Sequence, residues 1–123
     1  MAQMNFEGKK ITVLGAKETG IQSALFLKKR GADVFLSELR GGKEFVQAKR
    51  TLESQGVACE FGQHSWEEIE HSDLVIISPG IPPFAPIYAK VRRAGIPIWS
   101  EIELAYRAAE GDLIAVTGSN GKT

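Results

Sequence analysis

The sequence has one cysteine, two histidines and no surplus of either charge. Each scarcity excludes something. A lone Cys59 cannot close an internal disulfide, so the fold is not a disulfide-stapled one and the chain suits a reducing cytoplasm. Its place in the apolar stretch VACEF marks it as a core residue. The 15 basic and 15 acidic side chains cancel. That argues against nucleic acid as the main partner, because binding a phosphate backbone draws on a basic excess. No apolar run approaches the roughly 20 residues that a membrane helix needs. The opening MAQMNFEGKK has no apolar stretch of the kind a signal peptide carries. Repeats and low-complexity segments are also missing. What remains, 43% hydrophobic and 24% charged in 123 residues, is the mix of one ordinary folded domain. The charge is unevenly spread, with 10 basic and 7 acidic residues over 1–62 (+3), and 5 and 8 over 63–123 (−3).

Short apolar runs alternate with amphipathic segments. The runs Ile11–Leu14, Val34–Leu36, Val57–Phe61, Leu74–Ile77, Ile96–Trp99 and Leu113–Val116 have strand length and are rich in Val, Ile and Phe. Several are wholly apolar, as parallel strands covered on both faces are. Between them, Ile21, Ala24, Leu25 and Lys28 recur at helical spacing, with Gly31 as a stop. Phe45, Ala48 and Leu52 mark a second helix, stopped at Gly56. Ser65 and Glu68 have capping-box spacing before a short turn at Trp66. Pro86 suits the first turn of a helix that carries Ile87 and Val91 and ends at Gly95. Ser100 and Glu103 form a second capping box, followed by Ile102, Ala105, Tyr106 and Ala109 on one face and a stop at Gly111. This alternation predicts an α/β fold with a Rossmann-like parallel sheet of about five strands, helices on both faces and right-handed crossovers. Pro97 removes a ladder donor and places its strand near a sheet edge.

Three strand ends carry possible chemistry. Gly15-Ala16-Lys17-Glu18-Thr19-Gly20 is a glycine turn opening onto a helix, where backbone amides attract phosphate. A dinucleotide fingerprint has a middle glycine where Lys17 stands. Lys17 obstructs the close pyrophosphate approach typical of NAD, while its ammonium can meet a phosphate. On the loop alone, a ligand site and a ligand-free tight turn both fit. Glu38 lies about 20 residues on, where this fold grips a ribose, and Arg40 can stack on a base or pair with a phosphate. A solvated charge pair also fits. Ser78-Pro79-Gly80-Ile81-Pro82-Pro83 follows a buried strand. There Ser78 offers a hydroxyl, Gly80 an open amide, and the prolines stiffness. The three ends should open on one edge.

The last motif is Thr117-Gly118-Ser119-Asn120-Gly121-Lys122-Thr123. Gly-Lys-Thr after an apolar strand is the core of a nucleotide triphosphate loop, in which amides cradle phosphates, Lys122 reaches the outer ones and Thr123 ligates magnesium. It is a variant, because the first glycine of the pattern would fall at Val116. The remaining polar residues read as surface. His64 and His71 have no telling partner, Glu67, Glu68 and Glu70 form a solvated face, and Trp66 and Trp99 are packing residues.

Taken in order, GAKETG, SELR, SDLVIISPGIP, SEIELAYR and VTGSNGKT resemble the Mur ligase family along the whole chain, and SPGIP with SEIEL resembles its D-glutamate-adding branch. The resemblance implies a UDP-substrate-binding N-terminal domain over 1–99. It also implies a linker helix, strand and truncated phosphate loop of an ATP-binding domain over 100–123. It assigns Gly15, Glu18, Thr19 and Gly20 to the diphosphate. Glu38, Leu39 and Arg40 fall to the uracil and ribose, and Ser78, Pro79 and Gly80 to closure over the nucleotide. Gly118, Ser119, Asn120, Gly121, Lys122 and Thr123 fall to ATP, with Lys122 catalytic and Thr123 on Mg2+ in the full-length enzyme. The implied partners are UDP-N-acetylmuramoyl-L-alanine, D-glutamate and ATP in the cytoplasm, with no nucleic acid and no membrane span. The implied reaction is ATP-dependent amide formation in peptidoglycan biosynthesis, through an acyl phosphate that the D-glutamate amine attacks. The 123 residues alone are expected to be inactive and to need no cofactor. Lys17 for the middle glycine and Glu38 for the usual Asp depart from the family pattern. An NAD-binding or NAD-sensing Rossmann domain is the alternative, with a self-contained nucleotide triphosphatase as a third reading.

Overall fold

The computed structural model describes the backbone of residues 6–116 and the side chains of 6–109. The strands are β1 (Lys10–Leu14), β2 (Asp33–Glu38), β3 (Ala58–Phe61), β4 (Leu74–Ile77) and β5 (Ile98–Ser100). The helices are α1 (Glu18–Lys29), α2 (Val46–Ser54), α3 (Trp66–Ile69), α4 (Pro86–Arg93) and α5 (Glu101–Val116). All strands pair in parallel in the order β3-β2-β1-β4-β5. This is the expected α/β architecture, and the strand after Pro97 does lie on an edge.

The three central strands, β1, β2 and β4, are buried on both faces because their side chains alternate between two cores. Ile11 and Val13, Val34 and Leu36, and Leu74 and Ile76 join Ala24 and Leu27 of α1, Leu52 of α2 and Leu104 of α5. Leu14, Phe35, Val75 and Ile77 face the other way, onto Ile69 of α3 and Ile87 and Val91 of α4. The polar members of that second face are paired. Thr12 Oγ1 and Ser72 Oγ lie 2.6 Å apart in the interior.

The order of strands reverses at β1. The chain moves outward from β1 through β2 to β3, then returns to β4 on the other side. In parallel sheets the crevice for ligands opens at this point, beyond the carboxyl ends of the strands. Two glycines shape it here. Gly15 has φ +111°, and a Cβ there would stand 2.6 Å from Ser78 Cβ, so the ends of β1 and β4 meet only because the side chain is missing. A Cβ on Gly20 would run into the Gly15 carbonyl, so Gly20 lets α1 seat tightly on the turn that precedes it.

Three local expectations are corrected. Leu113–Val116, expected as a strand, belongs to α5, which continues through Gly111. A strand needs a neighbour for its backbone groups, whereas a helix satisfies them internally at a cost of about 1 kcal/mol for an interior glycine. The α5 stripe of Ile102 and Tyr106 faces outward, and Leu104 makes the core contact instead. The Ser65 capping box does not form, because the Ser65 hydroxyl bonds Glu60 Oε1 at 2.5 Å. The Ser100 cap does form, accepting the Glu103 N–H at 2.9 Å.

Leu36 is fully buried in the central part of the sheet. Leu36→Ala is expected to lower unfolding stability by about 2–5 kcal/mol, seen as a reduced urea midpoint with an unchanged slope. Ile102→Ala, at a site 78% exposed, should stay within about 0.5 kcal/mol. Equal losses at the two positions would contradict this core.

Candidate functional site

A cavity of about 820 Å³ runs along the carboxyl edge of the sheet. It crosses four strand ends. Gly15 and Lys17 come from the turn after β1, Glu38, Leu39 and Arg40 from the end of β2, and Gly62, Gln63 and His64 from the turn after β3. Ser78, Gly80, Ile81 and Pro82 follow β4, and Lys90 and Arg93 come from α4. The crossover from β3 to β4 contains the four-residue α3, whose Trp66 is part of the cavity wall.

Glu38 organises the β2 end. It is 6% exposed, and a buried carboxylate must be matched by donors. The Ala16 N–H donates to Oε1 at 2.8 Å, and the Arg40 N–H donates to Oε2 at 2.8 Å. The Arg40 guanidinium adds Nε to Oε2 at 3.1 Å and Nη2 to Oε1 at 3.3 Å. Burial pushes the Glu38 pKa upward, but the Arg40 side chain, the Arg40 amide and the Ala16 amide outweigh it and hold the group below its ordinary value of 4.5. Both oxygens are thus engaged within the protein. The geometry makes Glu38 a positioning residue that closes the first glycine turn and aims Arg40. Arg40 also packs over the Phe45 ring at 5.2 Å while remaining half exposed toward the cavity. A guanidinium already paired with a carboxylate has lost much of its attraction for phosphate, but its flat face still stacks.

The β1–β4 junction is where the cationic groups gather. Lys17 occupies the N-cap of α1 without any side-chain cap. Its Nζ would be 3.3 Å from a Cβ built on Gly80, so the ammonium lies over the Ser78–Gly80 turn. The Lys17 side chain is part of the cavity wall. Ser78 is buried, and its Oγ accepts the Gly80 N–H at 3.2 Å, so this amide, expected to be open, is already used. Lys90 sits over the Trp66 ring at 5.3 Å. Lys17, Arg40, Lys90 and Arg93 against Glu38 give four cations and one carboxylate on the cavity wall. Among the described residues, Lys17, Lys90 and Arg93 have no ion pair. Leu39, Trp66, Ile81, Pro82, Ala85 and Ile87 supply apolar wall between them. Such a site suits a ligand with a strongly anionic end and a flat, less polar end.

The structure therefore brings together Gly15, Glu38, Leu39, Arg40, Ser78 and Gly80 from the sequence reading. It leaves Glu18, Thr19, Gly20 and Pro79 off the cavity wall. Glu18 and Thr19 are exposed in the first turn of α1, Gly20 is buried beneath Gly15, and Pro79 is exposed. Gly118, Ser119, Asn120, Gly121, Lys122 and Thr123 lie outside the described residues. Sequence reasoning missed Lys90, Arg93 and the β3 turn. It also took His64 as a surface residue, and it is half-buried, with Nδ1 2.7 Å from Ser37 Oγ. The one local signal for Lys90 and Arg93 was their i, i+3 spacing on the helix that carries Ile87 and Val91 inward. Cys59 is half-buried against the first core, and burial pushes its thiol pKa up, which disfavours the thiolate.

Residues 9–100 match the model for the Mur ligase MurD-like N-terminal domain. A UDP-N-acetylmuramoylalanine--D-glutamate ligase from Chloroherpeton thalassium is 42% identical over 100% of this chain and 26% of its own length. A protein of the same name from Acidobacterium capsulatum is 42% identical over 98% of this chain and 26% of its own. The chain thus spans about a quarter of the curated relatives it matches. Among solved structures, the UDP-N-acetylmuramate-alanine ligase MurC of Thermotoga maritima superposes with a TM-score of 0.70. That match has 22% identity and covers 83% of this chain and 23% of that one, so it shows a shared fold. With the parallel sheet, the reversal at β1 and a family match over most of its length, the chain belongs to the MurD-like N-terminal domain family of the Mur ligases.

Proposed function

We propose that this chain is the UDP-substrate-binding N-terminal part of a ligase that joins D-glutamate to UDP-N-acetylmuramoyl-L-alanine with ATP, in cytoplasmic peptidoglycan synthesis. The observation that carries the reading is the cavity itself, with four cations to one carboxylate at the reversal point of a parallel sheet and apolar wall between them. The relatives that match the whole chain carry this substrate and amino acid in their names. In this reading the diphosphate lies at the β1–β4 junction, where Lys17 replaces the backbone approach that a middle glycine would permit. Arg40, neutralised by Glu38 and braced on Phe45, stacks on the base. Glu38 acts through Ala16 and Arg40 rather than by touching the ligand. Residues 100–123 are the link to an ATP-binding domain, whose phosphate loop includes Lys122 and Thr123. ATP and Mg2+ supply the energy for amide formation there, and the 123 residues alone do not ligate. A nicotinamide dinucleotide is disfavoured by the Lys17 side chain at the point where its pyrophosphate would approach the backbone.

Titration calorimetry is expected to show binding of a uridine diphosphate sugar and none of NAD. Lys17→Ala and Arg40→Ala should each weaken binding about tenfold, which is the scale of one charge-assisted contact. Only the Lys17 loss should shrink strongly as salt rises. NAD binding in the absence of uridine nucleotide binding would overturn the proposal.

Glu38→Gln is expected to cost about 1–2 kcal/mol of stability near pH 7 through weakened bonds to Arg40 and Ala16. The folded-state pKa lies below 4.5. The stabilisation is therefore fully present above that value and is lost as pH falls through the lowered one. Thermal melts of the two proteins should converge in acid and diverge on the neutral side. A gap that widened in acid would contradict the assignment.

A further inference from the structure

Glu101 has no part in the reading above, and its surroundings are unusual for a carboxylate. It is the first residue of α5. Because β1 and β5 run in the same direction, α1 and α5 both begin at the carboxyl edge of the sheet, and the two helices touch. Ser100 caps α5 by accepting the Glu103 N–H at 2.9 Å, and the Glu103 carboxylate pairs with Arg107 at 2.7 Å. Glu101 takes neither role. Its Oε2 packs on the first turn of α1, 3.4 Å from the point where a Cβ on Gly20 would stand, and that same point runs into the Gly15 carbonyl. The oxygen is shut off from solvent, and among the described residues no donor reaches it.

A buried carboxylate oxygen without a donor is costly, so a positive field must offset its charge. The amino end of α1 supplies one. Lys17 gives that helix no side-chain cap, and its first backbone bond runs from the Ile21 N–H to the Lys17 carbonyl at 3.0 Å. The N–H groups of Glu18, Thr19 and Gly20 precede that bond, have no acceptor within the helix and carry its positive pole. Glu101 therefore serves α1 from another helix, through the field rather than through a bond. For that reason the contact is replaceable. A phosphate at the same turn draws on the same pole and adds direct bonds to amides, and two anions that share the pole repel each other.

We propose that Glu101 is a built-in competitor for the anionic end of the ligand. It holds α5 against α1 while the glycine turn is free, and it is pushed toward solvent when a diphosphate occupies that turn. This inference rests on the placement of the diphosphate at the β1–β4 junction given above. Glu101 is half-buried as a residue, so its carboxylate has a path outward. The contact lowers affinity for the ligand and makes the start of α5 responsive to occupancy of the cavity. The two effects are one coupling seen from its two ends.

The test applies two probes to the full chain in titration calorimetry, a uridine diphosphate sugar and inorganic pyrophosphate. Glu101→Gln should bind both more tightly than the wild type by about fivefold, the scale of one partly screened charge–charge contact. The gain should shrink as salt rises. Glu101→Ala should show the same gain, and it replaces the glutamine variant if a buried amide disturbs folding. Glu101→Asp keeps the charge and Glu103→Gln removes one from the same helix turn, and each should stay within about twofold of the wild type. In hydrogen exchange, pyrophosphate should speed exchange at the first turn of α5 in the wild type and leave it unchanged in Glu101→Ala. Weaker or unaltered pyrophosphate binding in Glu101→Gln and Glu101→Ala overturns the role of Glu101 alone, as does a first turn of α5 that ignores the ligand in the wild type. The expected gain for pyrophosphate without any binding of the uridine ligand overturns the nucleotide reading alone. Binding of neither probe by the wild type overturns both.

Discussion

A buried carboxylate sets the terms for this molecule. Glu38 ends β2 inside the protein, and its charge is tolerable only because the Ala16 amide, the Arg40 amide and the Arg40 guanidinium converge on it. Those bonds do three things together. They close the turn after β1, tie it to the neighbouring strand, and hold a long flexible side chain against Phe45 at the cavity mouth. A preorganised arginine loses less entropy when a ligand arrives. On the proposed reading, the same residue that stabilises the edge also prepares it for binding.

Around that anchor the cavity divides its labour by strand. The β1–β4 junction is steric and cationic, with Gly15 permitting contact with Ser78 and Lys17 lying over Gly80. The β2 end is flat and neutralised. The β3 turn is a chain of hydrogen bonds running from Glu60 through Ser37 to His64. Zero net charge over the whole sequence coexists with a strongly cationic wall because the cations are gathered at one edge while the carboxylates lie mostly elsewhere.

Much of the fold was legible because its signals are local. Period and composition found the five sheet strands, and Gly31, Gly56 and Gly95 stand where helices end. Pro97 announced an edge through a missing donor. The failures arose where local signals met non-local partners. Ser65 has the spacing of a cap, but Glu60 competes for its hydroxyl from the preceding strand. Ile102 and Tyr106 look like a core stripe, but the docking angle of α5 buries Leu104. Leu113–Val116 has strand composition, but a strand without a sheet neighbour leaves its backbone unpaired, and the helix does not.

The site follows the same division. Glycine turns, Glu38, Arg40 and Ser78 are recognisable in the chain because each follows a strand directly, and parallel strands put all such ends on one edge. His64 and Glu60 are invisible at that level. Their meaning depends on the register that sets Ser37 opposite Glu60 across 23 residues of sequence. Lys90 and Arg93 become cavity residues only when α4 packs across the sheet. Periodicity and turn chemistry act over a few residues and were enough for the elements and their order. Which side chains share a proton, which carboxylate is already satisfied, and where the charge collects are decided by packing, because those energies exist only between groups brought together by the fold.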